Sequence, residues 1–122
     1  MLYAVLCYNS EAEVAAWSKE KDDAVIARVS AVGKQLKEEG KLRFSARLMY
    51  TTAAVTLRPG RDPLPIVDGP FAETKEQLLG FYILECETLE EAIEAGRRLA
   101  APRESGSLEI RPMRSVHEGV GL

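Results

Sequence analysis

Leu79-Gly80-Phe81-Tyr82-Ile83-Leu84-Glu85-Cys86 is apolar at nearly every position, and its reading decides the fold. An unbroken run of aromatic and aliphatic residues marks a strand covered on both faces, the kind that lies inside a sheet rather than at its edge. Leu2-Tyr3-Ala4-Val5-Leu6-Cys7-Tyr8, ended by Asn9-Ser10, is a second run of the same character. Alternation sends Tyr3, Val5 and Cys7 to one face and Leu2, Ala4, Leu6 and Tyr8 to the other. It likewise splits Phe81 and Ile83 from Tyr82 and Leu84.

Working outward, Ser10 stands three residues before Glu13, a capping-box spacing that predicts a short helix through Ala12, Val14 and Trp17. Across residues 18–39, Val25, Val29, Val32 and Leu36 form one helical stripe, with Asp22 and Asp23 near the start and Lys34 and Lys37 toward the end. Gly40 is placed to terminate this helix. Residues 43–49 and 53–57 read as strands. The Pro59-Gly60-Arg61-Asp62-Pro63 turn then leads into residues 64–67, which predicts a hairpin for the last pair. Thr88 with Glu91 starts another helix, whose buried side is expected to hold Ala92, Ile93, Gly96, Leu99 and Ala100, and which Pro102 stops. Residues 108–113 close the chain's last strand.

The order is therefore βαββαβ with an extra strand or two before the Asp68-Gly69-Pro70-Phe71 turn, the split βαβ pattern of an α+β, ferredoxin-like antiparallel sheet with its helices on one face. Helices on one face leave the other open, and here both faces of the inner strands are apolar. Such a face exceeds the patch a soluble monomer normally exposes, so a homodimer with apposed sheets is expected. The tail at 115–122, with Gly119 and Gly121, is a poor alternative cover.

At 122 residues the chain fits one domain, 1–122, of ordinary globular composition: 46% hydrophobic and 29% charged. Sixteen basic residues scattered among 19 acidic ones give a net charge of −3 and no basic stripe, which argues against nucleic-acid binding. The opening apolar run has no basic leader and is too short for a signal-peptide core or a bilayer span, so no membrane association and a cytoplasmic location are expected. Cys7 and Cys86 lie inside apolar runs and are expected to be buried free thiols. No glycine-rich phosphate loop, metal-ligand cluster or nucleophile motif appears, so neither cofactor nor metal is indicated.

Asp68-Gly69-Pro70-Phe71-Ala72-Glu73-Thr74-Lys75 carries the most particular residue choices. Gly69 before proline must be extended or turning. The Asp68 carboxylate is expected to accept hydrogen bonds from backbone N–H groups just downstream, and Phe71 to pin the loop to the body of the domain. The whole string through Glu76, with Gly80-Phe81-Tyr82-Ile83 and Ser107-Leu108-Glu109-Ile110-Arg111-Pro112, resembles the DGPF-domain branch of the YCII-related family over residues 3–112. The resemblance implies a subunit of the dimeric α+β barrel superfamily and a small-molecule enzyme or ligand-binding module. It also implies neighbours such as extracytoplasmic-function sigma factors, hence a regulatory protein contact as a further expectation.

Within the resemblance Asp68 takes the place of an aspartate that relatives pair with a histidine on the first helix, as a proposed acid–base dyad. Here the only histidine is His117, past the last strand, and the first helix offers valine and lysine instead. A lone aspartate titrates near ~3.9 and is a feeble base at neutral pH unless burial raises it. Two readings follow. One is a domain that binds a small molecule or a protein, with Tyr8, Arg47, Phe71 and Tyr82 as candidate ligand contacts and Arg58 as a further cation. The alternative is a cofactor-independent enzyme in which Asp68 is catalytic, orienting or proton-transferring a small polar or aromatic substrate.

Overall fold

The structure, a computed structural model, describes residues 1–117. These residues form β1 (Leu2–Asn9), α1 (Glu11–Ala15), α2 (Lys19–Glu38), β2 (Leu42–Arg47), a 3-10 turn (Thr51–Ala53), β3 (Val55–Leu57), β4 (Ile66–Asp68), β5 (Gln77–Glu85), α3 (Leu89–Ala100) and β6 (Ser107–Pro112). The main sheet is antiparallel with strand order β2-β5-β1-β6. Two βαβ-type halves interleaved in this order make a ferredoxin-like α+β fold. The two apolar runs, β1 and β5, are its inner strands.

Each helix starts where the sequence predicts. The hydroxyls of Ser10, Ser18 and Thr88 accept from the backbone N–H groups of Glu13, Lys21 and Glu91, and Gly40 ends α2 with φ of 76°. Glu91 reaches back past Thr88 to the N–H of Glu87, so the second capping box is offset by one residue. On α3 the buried residues are Ala92, Ala95, Gly96 and Leu99, whereas Ile93 and Ala100 are exposed. The stripe is thus rotated from the expected one. A Cβ on Gly96 would lie 2.7 Å from Cδ1 of Ile110, so this small-residue side is the one that can meet β6.

The core lies between the helices and one sheet face: Tyr3, Val5, Leu36, Leu84, Cys86, Ala92, Ala95 and Leu99, flanked by Leu42, Tyr82, Leu108 and Ile110. The opposite face carries Leu6, Phe44, Phe81 and Ile83, with Phe44 and Phe81 ring centroids 5.9 Å apart. Phe44 is 57% exposed. β3 and β4 pair only with each other, as a small hairpin sheet separate from the main one. No helix among the described residues is long and apolar enough to cross a membrane.

Candidate functional site

The predicted stripe of α2 is not uniformly buried. Leu36 is fully enclosed, while Val25 and Val29 are half-buried and Ile26 is exposed. The cause lies in the sheet beneath. Under the C-terminal half of α2 the sheet presents Tyr3, Leu84 and Leu42. Under the N-terminal half it presents Cys7, Gly80 and Ser45, which have little volume to fill the space. Gly80 is required by strand spacing, because a Cβ there would sit 2.7 Å from the Ala46 carbonyl oxygen. A cavity of about 310 Å³ results, lined by Val25, Val29, Cys7, Trp17, Leu79 and Leu108 among others.

Polar groups ring this space. Arg47 and Asp22 join its walls across β2 and α2 at 3.2 Å, with both side chains partly in solvent. A partly exposed pair of this kind contributes about 0–1 kcal/mol, too little to make it a requirement of the fold. Lys21 pairs with Glu104 at 3.3 Å while its ammonium lies 4.7 Å from the Trp17 ring. Asn9 donates to Ser105 at 3.0 Å. Arg103 donates from Nη2 to the Tyr82 hydroxyl at 3.2 Å and from Nη1 to the Leu99 carbonyl, with its guanidinium carbon 5.8 Å from the Tyr82 ring centre. The Cys7 thiol is pushed up from its ordinary value by burial, against a smaller downward pull from the Arg103 charge. Among the described residues no cluster of three or more His, Cys, Asp or Glu is placed to hold a metal ion.

Of the six residues singled out from sequence, Tyr8, Arg47 and Tyr82 line this cavity, and Arg58, Asp68 and Phe71 do not. Asp68 ends β4 of the hairpin and is exposed. Its turn is made differently from the expected one: among the described residues its carboxylate accepts no hydrogen bond. Instead Gly69, at φ of 95°, donates N–H to Ala54 at 2.7 Å, and its carbonyl accepts from Thr56 Oγ1 at 2.8 Å. Phe71 is 75% exposed, so it does not pin the loop. Arg58 holds the loop there by donating to the Phe71 carbonyl at 3.0 Å. His117 is exposed, and the tail beyond it lies outside the described residues.

Sequence reasoning missed Asp22, Trp17, Cys7 and Arg103. Asp22 had a signal: it falls three residues before Val25, on the same stripe as Val29, and a carboxylate on an inward face needs a partner. Arg103 had none, since its neighbours in space are distant in sequence.

The YCII-related domain is matched over residues 1–116. The chain belongs to the YCII-related family. A relative in Rhizobium meliloti (strain 1021), described as uncharacterized protein R00369, is 54% identical over 114 residues, which is 93% of this chain and 92% of that protein. As a family member of this fold, the chain has its largest helix standing over a cavity bordered by two ion pairs and by the aromatic side chains of Tyr8, Trp17, Phe81 and Tyr82.

Proposed function

We propose that this YCII-related chain is a small-molecule-binding domain whose site is the cavity between the first half of α2 and the sheet. The small residues at Cys7 and Ser45 carry the reading, Gly80 being fixed by the close approach of β2. A fold maintained only for stability gains about 25 cal/mol for each Å² of apolar surface removed from water, and filling this space with larger side chains would collect it. A cavity of about 310 Å³ falls at the lower end of the range for small-molecule sites, and its apolar walls with a few converging polar groups match their usual make-up.

Trp17, the only tryptophan, lines the cavity and reports directly on occupancy. Small aromatic compounds titrated against the protein should shift its emission and slow alkylation of Cys7. The variant Ser45→Phe, which fills the space, should lose both effects while keeping the native far-UV spectrum. Wild-type binding by Ser45→Phe, or a fragment set that leaves Trp17 and Cys7 untouched, would sink the reading.

The functional unit is a homodimer in this proposal, with the Leu6, Phe44, Phe81 and Ile83 faces apposed. Light scattering should give twice the chain's 13.5 kDa, and Phe81→Glu should return a single chain. A protein contact of the sigma-factor kind is the second reading, favoured by the hairpin, where Val55, Leu57, Ile66 and Phe71 are all more than half exposed. If Ile66→Ser leaves the dimer intact but ends co-migration with a purified sigma factor, the hairpin is that contact; unchanged co-migration removes it. Catalysis by Asp68 gains no support from a cavity within its own chain.

A further inference from the structure

If the cavity between α2 and the sheet is a binding site, the next question is what chemistry its ligand brings. The lining holds two guanidinium groups in different electrostatic states. Arg47 faces the Asp22 carboxylate at 3.2 Å and is neutralised by it. Arg103 is half-buried, and among the described residues it has no carboxylate within salt-bridge distance. The adjacent acid, Glu104, is taken by Lys21. Among the described residues Arg103 meets only neutral acceptors, the Leu99 carbonyl and the Tyr82 hydroxyl oxygen.

Part of this has a structural explanation. Leu99 lies in the last turn of α3, where the negative end of the helix dipole favours a cation. That accounts for the Nη1 edge of the guanidinium but not for Nη2, which is turned away to Tyr82 on the sheet. A guanidinium carries five N–H donors, and Tyr82, having accepted one of them, still has its own O–H to donate. Donors therefore outnumber acceptors at this end of the cavity. Among the charged residues that line the cavity, Arg47 and Arg103 balance Asp22 and Glu104; with Arg47 held by Asp22, and Glu104 held by Lys21 from outside the lining, Arg103 is the cation left facing the space. Val25, Val29, Leu79 and Leu108 supply the apolar part of the wall, beside the small polar side chains of Asn9, Ser30, Ser45 and Ser105.

We infer that the ligand is a small carboxylic acid with an apolar or aromatic body, its carboxylate held by the Arg103 guanidinium and the Tyr82 hydroxyl and its body lying under α2. The geometry of a guanidinium suits a two-oxygen anion, which binds it in bidentate fashion. This rests on the cavity being a binding site and adds the charge of what it binds.

The test is a matched pair, phenylacetate and phenylacetamide, with inorganic phosphate as a third probe, all read by Trp17 emission on the full-length protein. Phenylacetate should bind roughly tenfold or more tightly than the amide, since a hydrogen bond to a charged partner is worth more than one between neutral groups. Arg103→Gln, which removes the charge but keeps an N–H donor, should abolish that preference while weakening amide binding far less than acid binding. Tyr82→Phe should reduce it in part with the ring retained. Equal binding of acid and amide overturns the acid assignment and leaves the cavity reading standing. Binding of neither overturns both. Phosphate binding as tight as phenylacetate overturns the apolar body, and an undiminished preference in both variants overturns the anchor.

Discussion

Gly80 and Gly33 offer the same chemical change with opposite expected signs. Gly80 lies in β5 between β1 and β2, and a methyl group there would meet the Ala46 carbonyl oxygen at 2.7 Å and the Arg47 Cα at 3.5 Å. Both are backbone atoms, so relief requires β2 to move as a strand. Overpacking of this kind costs about 1–3 kcal/mol. Gly33 lies in the C-terminal half of α2, inside the helix, and a methyl there would meet the Leu42 Cδ2 at 3.8 Å, an ordinary contact. Gly33→Ala should stabilise by about 0.5–1 kcal/mol through helix propensity and a less flexible unfolded chain.

With an unfolding entropy near 2.1 cal/mol/K per residue, 122 residues give about 0.26 kcal/mol/K. Gly80→Ala should therefore lower the melting temperature by roughly 4–12 °C and Gly33→Ala raise it by roughly 2–4 °C. Differential scanning calorimetry supplies both numbers. A local readout accompanies them: the Leu48 N–H donates to the Leu79 carbonyl at 2.9 Å, beside the clash, so its hydrogen exchange should quicken in Gly80→Ala and stay unchanged in Gly33→Ala. A Gly80→Ala protein as stable as the wild type, with Leu48 equally protected, would refute the close approach of β2 to β5 that shapes one end of the cavity.

Leu84→Ala, which truncates a fully buried side chain of β5, should cost about 2–5 kcal/mol in urea unfolding at an unchanged slope, and a cost below that range would place Leu84 outside the core. Arg98 bonds the Glu39 carboxylate and lowers its pKa from 4.5 to about 2. The folded value lies below the unfolded one, so the stabilisation is complete above pH 4.5 and is lost as pH falls toward 2. Glu39→Gln should melt below the wild type at pH 6, with the gap closing by pH 2 and narrowing in 1 M salt; a gap that ignores both would remove the ion pair as its source. Cys86 is buried and its thiol is pushed up chiefly by that burial, so Ellman's reagent at pH 7 should label it only on unfolding, whereas rapid native labelling would contradict its place in the core.

The fold was legible because its signals are local. The apolar runs of β1 and β5 announce inner strands on their own; Ser18, Gly40 and Thr88 mark helix ends through bonds made within a few residues, and Pro102 through the N–H it lacks. Where geometry depends on a partner element, the reading slipped. Ile93 was expected inside α3 because it is apolar, but the position facing β6 must admit Ile110, and Gly96 with Ala92 on the same side does so. Phe71 was expected to anchor its loop for the same reason. The β3–β4 hairpin is joined to no strand of the main sheet, and Phe71 remains in solvent beside it.

The cavity escaped the sequence for a deeper reason. Each residue of its floor looks unremarkable where it stands: Cys7 is a small apolar residue in a strand, Gly80 an interruption in another, Ser45 a polar residue in a third. Only the register of three strands brings them side by side under one half of α2. The same register sets Arg47 opposite Gly80 and Tyr82 opposite Ser45, so the polar groups read from sequence as scattered candidates become neighbours. Arg103 arrives from the loop after α3, where the chain turns back toward β6, and reaches Tyr82 across the sheet. Small residues on the strands and charged residues on the surrounding helix and loop are thus parts of one arrangement, and a larger residue at Ser45 or Cys7 should fill the cavity with the strands in place, whereas one at Gly80 must displace β2 and Arg47 with it.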